Sequence, residues 1–320
     1  MSVTRLDAEL VRRGLARSRG QARELVDAGR VSVAGREVRK AAHPVAQQDS
    51  VQVAGEIDPW VSRAAHKLLG ALEAFPEVEV RGRRCIDVGA STGGFTQVLL
   101  QRGAASVCAL DVGHGQLDPS LAGDPRVDER SGTSVRDVGP QDVGGPFALL
   151  VTDLSFISLT LVAERLADLV QPGGDIVALV KPQFEVGRTR LGKGGVVRDA
   201  GHRRDAVVAV LESLSAAGLA PRGLAPSPLR GTDGNDEYLL WCVRSSTAAP
   251  SLAPWRARAG ELTSGRASVS TVPHDRLTQA DDPAQSDLAQ PDHLAQPDDP
   301  AQSDHATQTE TQPTDRGEHP

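Results

Sequence analysis

Short apolar runs alternate with amphipathic stretches through the middle of the chain. The run at 147–151 is apolar at every position, which is typical of a strand in a parallel sheet that is covered on both faces. Further strand-like runs at 85–88, which is apolar except at Asp87, and at 107–110 and 176–180 are separated by stretches in which apolar residues recur with helical spacing. This alternation predicts an α/β fold with a doubly wound, mostly parallel sheet.

The stretch 84–111 has the composition of a nucleotide-binding unit. Its first strand leads into a turn of small residues, 89–94, and then into a helix that begins at Phe95. The partial positive charge of a helix N-terminus favours a bound nucleotide, and Asp111, at the end of the next strand, can hydrogen-bond its ribose. Because position 91 is serine, the turn lacks the dinucleotide pattern GxGxxG, which favours a nucleotide without a pyrophosphate, such as S-adenosylmethionine; a plain tight turn is the alternative. We expect the cofactor to contact Asp87, Gly89, Ala90, Ser91, Thr92, Gly93, Gly94, Phe95, Asp111 and Asp153.

The first 55 residues are basic and have a different pattern. They predict a helix from Leu6 to Gly14, a second helix from an N-cap at Ser18 to Gly29, a hairpin at 31–38 and a strand at 49–53. Residues 1–40 hold ten Lys or Arg against five acidic residues. Such a surface can follow a phosphate backbone, although a solvated basic face is the plain alternative. The candidate RNA-binding residues are Arg5, Arg12, Arg13, Arg17, Arg19, Arg23 and Arg30.

Three segments of this region occur in the order found in a known RNA-binding module. RLD, SRGQA and GRVSVAG, all within residues 3–55, resemble the S4 domain. The resemblance implies a small α+β domain that positions structured RNA and carries no chemistry of its own.

Four charged residues are predicted to meet at one edge of the sheet. Asp153 and Lys181 each follow a strand, and Glu237 precedes the last apolar run, which suits an antiparallel strand whose start lies at the same edge. Lys67 lies on a helix predicted at 63–75, with Ser62 as its cap. A rim of ordinary ion pairs is the alternative for each residue taken singly.

These four residues fit the chemistry of methyl transfer to a ribose hydroxyl. The hydroxyl must lose its proton, and a lysine can accept that proton when burial or a second cation disfavours its charged form. We interpret Lys181 as the base, Asp153 as its orienting partner, and Lys67 and Glu237 as positioners of the 2′-hydroxyl. Two aromatic residues nearby either pack beside a flipped nucleotide or belong to the core: Phe156 and Phe184.

The motifs in combination resemble one family of RNA-modifying enzymes. DVGASTGGFT, DLSFIS, KPQFE and GNDEYLLW, with SRAAHKL and the S4 segment before them, resemble the TlyA family, the S4-bearing members of the FtsJ-like ribose 2′-O-methyltransferases. The resemblance implies a Rossmann-like class I methyltransferase fold with a seven-stranded sheet. It also implies S-adenosylmethionine-dependent 2′-O-methylation of cytidine in ribosomal RNA, of the small subunit alone or of both subunits.

The resemblance also places the family's functional residues on this chain. Its Lys-Asp-Lys-Glu tetrad falls on the four charged residues named above, and its donor-binding loop falls on 89–94. Its linker motif corresponds to 58–61, where Asp58 stands in a position that is often arginine. That difference puts any cofactor-coupled role of the linker in doubt.

The last residues of the chain differ in composition from the rest. Residues 246–320 contain five Arg and twelve acidic residues, and their repeated AQPD and AQSD units hold almost no large apolar side chain. Such a segment cannot bury enough surface to offset its chain entropy, so we predict a disordered acidic tail. This tail accounts for the net charge of −7.

The predicted organisation is an S4-like domain (1–57), a linker (58–62), a methyltransferase domain (63–245) and the tail (246–320). The three cysteines lie in apolar runs without metal-ligand spacing, so we expect no metal site. No apolar run approaches the roughly 20 residues that span a bilayer and no signal peptide is evident, so we expect a cytoplasmic protein without a membrane partner. We expect ribosomal RNA or ribosomal subunits as the partner and a monomeric state.

Three other functions remain open at this point. A non-catalytic S4 RNA-binding or ribosome-assembly factor would keep the fold without needing the tetrad. A haemolysin or cytolysin is suggested by a label often given to the family, yet no lytic helix stands out. A small-molecule methyltransferase would have no use for the basic N-terminal region.

Overall fold

The computed structural model of the protein describes residues 3–55, 58–245 and 251–265. The part from 3 to 55 is a small α+β domain, as the sequence predicts. Strands β1 and β4 pair with each other, and β2 lies between β3 and β5 in a second sheet. The elements of this domain are β1 (Val3–Arg5), α1 (Leu6–Arg12), α2 (Arg19–Asp27), β2 (Val31–Val33), β3 (Arg36–Glu37), β4 (Pro44–Ala46) and β5 (Val51–Val53).

Local sequence signals set the limits of the two helices in this domain. The Ser18 hydroxyl accepts a hydrogen bond from the Gln21 backbone N–H at 3.2 Å, so the predicted N-cap of α2 is confirmed. Gly14 and Gly29, which follow the two helices, have φ values of +70° and +69°. Only glycine adopts this left-handed conformation without strain, so each helix ends at the predicted residue. The apolar sides of both helices form one core with the strands.

The part from 58 to 265 is built around a seven-stranded sheet. Its strands are β6 (Arg84–Val88), β7 (Ser106–Asp111), β8 (Val127–Ser131), β9 (Phe147–Thr152), β10 (Val170–Val180), β11 (Leu219–Pro226) and β12 (Tyr238–Arg244). Its helices are α3 (Ala64–Ala74), α4 (Gly94–Gln101), α5 (Pro119–Ala122), α6 (Ala163–Asp168), α7 (Pro182–Glu185), α8 (Ala200–Ala216) and α9 (Ala253–Thr263). Short 3₁₀ turns complete the connections.

The strand order is β11-β12-β10-β9-β6-β7-β8. The five strands from β10 to β8 are parallel, and β12 is antiparallel to both of its neighbours. The order reverses between β6 and β9, which is where a doubly wound sheet opens a crevice for ligands at the carboxyl ends of its strands. The predicted fold class, a Rossmann-like methyltransferase fold with seven strands, is confirmed.

Helices bury both faces of this sheet. On one face, α3 and α4 contribute Leu68 and Leu99 to a core that includes Val151 and Leu179 of the strands. Neighbouring strand residues that point to the other face, such as Leu150, are buried as well. The central strands β7, β9 and the second half of β10 are therefore apolar at successive positions.

Three elements differ from the sequence prediction. The Pro-Gly-Gly segment 172–174, whose composition predicts a turn, lies inside β10, where the pairing with β9 shifts register between Val170 and Asp175. Strand β11 was not predicted because its two prolines and its glycine resemble a loop; an edge strand tolerates them. The predicted cap Ser62 does not cap α3, whose N-cap residue is Arg63 without a side-chain hydrogen bond.

The prediction that disorder begins at residue 246 is wrong for α9. This helix packs against α8 and β11, and its Trp255 side chain is only 4% exposed. The Thr263 carbonyl accepts a hydrogen bond from Arg203 Nη2 at 2.9 Å. A single tryptophan and small residues are enough to bury one side of a short helix, a signal that the polar composition of 246–320 as a whole concealed. The remainder of the predicted tail, 246–250 and 266–320, lies outside the described residues.

Candidate active site

The fold brings the four predicted charged residues together at one edge of the sheet. Asp153 directly follows β9, and Lys181 directly follows β10. Glu237 directly precedes β12, whose start lies at the same edge because this strand is antiparallel to β10. Lys67 reaches the edge from α3, which packs on one face of the sheet.

Ion pairs connect these residues into a chain of alternating charge. Lys181 Nζ lies 2.7 Å from Asp153 Oδ1. Lys67 Nζ donates a hydrogen bond to Glu237 Oε2 at 2.7 Å and lies 3.8 Å from Asp153 Oδ2. Both lysines and the glutamate are buried, and Asp153 is partly buried. Two buried cations and two carboxylates leave no net charge, which is the condition under which such groups can be buried at moderate cost.

Two polar side chains that sequence reasoning missed extend this chain. Lys181 Nζ donates to Ser155 Oγ at 2.8 Å, and Gln183 Nε2 donates to Glu237 Oε1 at 3.3 Å. Each residue lies two positions from a predicted one along the chain, Ser155 after Asp153 and Gln183 after Lys181. The available signal was a polar residue just beyond a strand end, the same signal that identified Asp153.

The small-residue turn 89–94 forms one wall of a cavity of about 270 Å³ next to these ion pairs. Gly89 has φ +88°, and a Cβ at this position would lie 3.3 Å from the Asp153 carbonyl oxygen. At Gly94 a Cβ would lie 2.3 Å from Ser62 Oγ. Glycine is therefore needed at position 89 for the positive φ and at position 94 for the close approach of Ser62. The cavity is also lined by Ala90, Ser91, Thr92 and Phe95.

Asp111 occupies the expected position at the end of β7. Its Oδ2 accepts the Ser91 backbone N–H at 2.8 Å, and its Oδ1 accepts the Gly113 backbone N–H at 2.7 Å. A carboxylate has about four lone-pair sites, so each oxygen retains the capacity to accept a further hydrogen bond. These two hydrogen bonds hold the Asp111 carboxylate against the loop, and each of its oxygens can still accept a hydrogen bond from a hydroxyl group.

Asp87 lies beneath the loop and is fully buried. Its Oδ2 accepts a hydrogen bond from Thr96 Oγ1 at 2.7 Å, whereas Oδ1 has no hydrogen-bond partner among the described residues. Burial raises the pKa of this carboxyl to about 7, and the Thr96 hydrogen bond only partly opposes that effect. This oxygen is buried beneath the loop, and Asp87 is not among the residues that line the cavity.

A larger cavity of about 890 Å³ lies on the other side of the ion pairs. Lys67, Ser155 and Lys181 line both cavities, so the two spaces meet at the charged residues. Phe156 at its mouth is 92% exposed, which rules out the core role considered for it from the sequence. Its ring centroid lies 5.3 Å from that of Phe184.

Glu185 fixes the segment that carries Ser155 and Phe156. Its Oε1 accepts the Leu159 backbone N–H at 2.9 Å, and its Oε2 accepts the Ser158 hydroxyl. Burial raises the pKa of this carboxyl, and the two hydrogen bonds oppose the rise. This pairing joins the loop after β9 to helix α7, which follows Lys181.

The linker contacts both the S4-like domain and α4, the helix that follows the turn 89–94. Arg17 donates to the backbone carbonyls of Asp58, Pro59 and Trp60. Gln97 of α4 accepts the Val61 backbone N–H at 2.7 Å and donates to the Pro59 carbonyl at 3.1 Å. Asp58 Oδ2 lies 2.6 Å from His66 Nε2, so the residue that departs from the family's pattern has a hydrogen-bond partner on α3.

The seven predicted RNA-binding arginines divide into two groups. Arg13, Arg17 and Arg30 donate to backbone carbonyls of their own chain. For these three the structure shows a role in holding loops and the linker, which sequence reasoning did not foresee. The other four have side chains that are about half exposed and form ion pairs with buried carboxylates of α1: Arg5, Arg12, Arg19 and Arg23.

The described residues offer neither a candidate metal site nor a candidate membrane span. In the part of the chain that the structure describes, no group of three or more His, Cys, Asp or Glu side chains is placed to hold a metal ion. Within 3–55, 58–245 and 251–265, no helix combines the length and apolar character needed to cross a bilayer.

The fold and the glycine loop beside a strand-end acid define a nucleotide-dependent transferase of the methyltransferase class. The model of the FtsJ-like methyltransferase family matches residues 60–244, and that of the S4 domain matches residues 4–51. The 16S/23S rRNA (cytidine-2′-O)-methyltransferase TlyA of Mycobacterium tuberculosis is 52% identical over 244 residues, which are 76% of this chain and 90% of that protein. The chain therefore belongs to the TlyA family of S4-bearing, FtsJ-like methyltransferases.

Other relatives carry a different name. Hemolysin A of Brachyspira hyodysenteriae is 36% identical over 241 residues, which are 73% of this chain and 98% of that protein. A solved structure from Streptococcus thermophilus, described as a hemolysin, has a TM-score of 0.66 at 34% identity and covers 83% of this chain and 96% of its own. The haemolysin label and the TlyA family resemblance thus occur together, as the sequence predicted.

Proposed function

We propose that this protein is an S-adenosylmethionine-dependent ribose 2′-O-methyltransferase that modifies cytidine in the ribosomal RNA of the small subunit, alone or together with the large subunit. The observation that carries the proposal is the chain Lys181–Asp153–Lys67–Glu237 at the junction of two cavities. The family supports the choice of substrate, because relatives named for cytidine-2′-O-methylation of rRNA are 52% and 34% identical to this chain. An enzyme of this kind works where ribosomes are, so we place it in the cytoplasm.

The smaller cavity fits the methyl donor. The loop 89–94 with the N-terminus of α4 would hold its polar part, and Asp153 would offer a carboxylate oxygen to a cationic group. Asp111, which is bonded to Ser91 of the loop, would hold its ribose, and Asp87 would support the loop from beneath through Thr96 of α4. S-adenosylmethionine supplies an electrophilic methyl carbon on a sulfonium centre. Phe95, which also lines the cavity, supplies an apolar surface.

Lys181 is the base in this proposal. Its Nζ lies at the junction of the cavities, and as a neutral amine it takes the proton from the 2′-oxygen of the ribose. Two nearby groups set its position: Asp153 and Ser155 contact Nζ and fix its direction. Lys67 shares Asp153 with it. Glu237 keeps Lys67 in place through their ion pair.

The larger cavity would receive the target nucleotide. A nucleotide whose ribose must reach Lys181 has to leave its stack, and it then needs an aromatic surface in place of its neighbours. Phe156, exposed at the mouth, and Phe184 beside it provide that surface. The S4-like domain positions the RNA through its half-exposed arginines.

The test is methyl transfer from isotope-labelled S-adenosylmethionine to separated 30S and 50S ribosomal subunits from a bacterium that lacks a TlyA-family gene. We expect labelled RNA from at least the small subunit. A parallel reaction that contains labelled methionine in place of S-adenosylmethionine should give no labelled RNA. Binding of subunits without any transfer would instead favour a non-catalytic assembly factor. Leakage of liposomes by the purified protein, without transfer to RNA, would favour a cytolysin.

A further inference from the structure

Two carboxylates on the first helix are buried within the most basic part of the chain. Asp7 and Glu9 are 0% and 2% exposed, although both lie on the short helix α1 of a small domain. Burial of a carboxylate is costly unless cations and hydrogen bonds compensate for the lost water. The arginines around them provide this compensation.

Asp7 of α1 lies at the centre of three arginines, one from β1 and two from α2. Arg5 donates to it through Nε at 3.1 Å and Nη2 at 3.0 Å, Arg19 through Nη2 at 3.3 Å, and Arg23 Nε lies 3.5 Å from Oδ2. The Arg5 hydrogen bonds, followed by those of Arg19, hold the pKa of Asp7 well below its usual range. Asp7 is thus ionised at neutral pH, and it holds together three cations that would otherwise repel one another.

The three arginines retain free donors on their outer sides. Their side chains are 48%, 55% and 58% exposed, in the order Arg5, Arg19, Arg23. A guanidinium group has five N–H donors, and Asp7 uses only one or two from each. Three fork-shaped donors that converge on one carboxylate from below present their remaining N–H groups to one region of the surface, with a local charge of about +2.

The neighbouring carboxylate does not create the same arrangement. Glu9 pairs with Arg12 and Arg13, which lower its pKa to about 2. Arg13, however, also donates to the carbonyls of Gln47 and Asp49, so it holds the loop between β4 and β5. Among the described arginines of the domain, the convergence of three half-exposed guanidinium groups is therefore a property of the Asp7 cluster.

We propose that Arg5, Arg19 and Arg23 form a single binding site for a phosphate of the RNA backbone, and that Asp7 is its positioning residue. This inference rests on the proposed function, because it requires RNA as the ligand. Its consequence is unusual in sign: a negatively charged residue strengthens the binding of a polyanion. If charges acted only additively, a negatively charged residue would weaken the binding of RNA.

The test compares two substitutions that remove one negative charge each. Asp7→Asn keeps the size of the side chain and an oxygen for the Ala8 backbone N–H, which Asp7 Oδ1 now accepts at 2.9 Å. Asp27→Asn, on the exposed end of α2, is the matched control. The probe is the purified 30S subunit with the full-length, fluorescently labelled protein at several salt concentrations, and calorimetry with S-adenosylmethionine checks the methyltransferase domain.

We expect Asp7→Asn to weaken subunit binding at least about tenfold, the factor expected when a charge-assisted hydrogen bond is lost, and to lower the salt dependence of binding. Asp27→Asn should leave affinity unchanged or slightly improved, and both variants should bind S-adenosylmethionine normally. Equal or tighter subunit binding by a folded Asp7→Asn protein overturns the inference alone. Absence of subunit binding by the unaltered protein overturns the proposed function as well.

A second set of variants avoids the buried carboxylate, in case Asp7→Asn does not fold. Arg19→Gln and Arg23→Gln are made singly and together, with the exposed Arg36→Gln of β3 as a control for lost charge. If both arginines contact one phosphate, the loss in the double variant is smaller than the product of the two single losses. Losses that multiply fully, or that do not exceed the Arg36→Gln loss, overturn the inference.

Discussion

Lys181 Nζ lies 2.7 Å from Asp153 Oδ1, at the point where the cavity beside the glycine loop meets the larger cavity. The two residues follow adjacent parallel strands, so the sheet itself sets their separation. A carboxylate at this distance directs the amine, and it also leaves one face of the amine for a substrate hydroxyl. The pairing of β9 with β10 therefore determines the distance between the proposed base and its orienting carboxylate.

The first prediction concerns the proposed base. Lys181→Ala should lower the rate of methyl transfer by a factor of about 10²–10⁴, the usual contribution of general base catalysis, because Lys67, the other lysine at the junction, is held in its ion pair with Glu237. Affinity for S-adenosylmethionine should persist. Single-turnover assays and calorimetry measure the two quantities, and Lys193→Ala, an exposed lysine of the loop after α7, is the control. Full activity in Lys181→Ala would remove this residue from the mechanism.

A second prediction concerns the buried pair Lys67–Glu237. Lys67→Met leaves the Glu237 carboxylate buried with only the longer Gln183 contact, so the free energy of unfolding should fall by about 3–5 kcal/mol. The double variant Lys67→Met, Glu237→Gln removes the uncompensated charge and should recover much of that loss. Urea unfolding at pH 7 provides the measurement. A double variant no more stable than the single one would show that the ion pair is not the cause.

The third prediction concerns Asp87 and pH. Its folded-state pKa of about 7 exceeds the value of 3.8 for a free carboxyl, so the stability that it contributes is complete below about pH 4 and is lost as pH rises through 7. The difference corresponds to about 4 kcal/mol. Asp87→Asn should therefore unfold with a flatter pH dependence than the unaltered protein between pH 5 and 8.

Other carboxyl groups with shifted pKa values also contribute to the pH dependence of stability. Glu185, whose pKa burial also raises, acts in the same direction, so the difference between the two proteins is the informative quantity. Asp7 and Glu9, whose pKa values are lowered by arginines, lose their contribution only at more acidic pH. Identical pH profiles for the two proteins would show that Asp87 is ionised in the folded state throughout.

The fourth prediction concerns α9. Trp255→Ala should lower the free energy of unfolding by about 3–5 kcal/mol, because the indole is buried against the methyltransferase domain. Arg256→Ala, an exposed position on the same helix, should change it by less than about 0.5 kcal/mol. Thermal unfolding checks both. A Trp255→Ala protein as stable as the unaltered one would mean that α9 does not contribute to the folded domain.

The sequence predicts the parts of the site that depend on strand order. Asp153, Lys181 and Glu237 could be placed at one edge because the carboxyl ends of parallel strands, and the start of an antiparallel one, share that edge. Lys67 could not be placed in this way, since it comes from a helix before the sheet and no periodicity shows which strand end it approaches. Lys67 was assigned to the site from its charge and its position on the helix before the sheet, and the resemblance to a family indicated the same residue.

Other features depend on tertiary contacts that have no local signal. Asp7 and Glu9 look like the polar face of an amphipathic helix, and only the packing of α2 and the arginines buries them. Arg17 looks like any other arginine of a basic surface, yet it holds the linker. Strand β11 and helix α9 were missed for a related reason: proline-rich and polar segments form regular structure when a neighbouring element offers an edge or an apolar groove.

The most direct test of the central claim is the identity of the methylated atom. Ribosomal subunits are treated with the protein and S-adenosylmethionine, the RNA is digested to nucleosides, and mass spectrometry compares the products with those of Lys181→Ala. The proposal predicts new 2′-O-methylcytidine that depends on Lys181. A methyl group on a base, or no new methylated nucleoside from subunits that the protein binds together with S-adenosylmethionine, would contradict it.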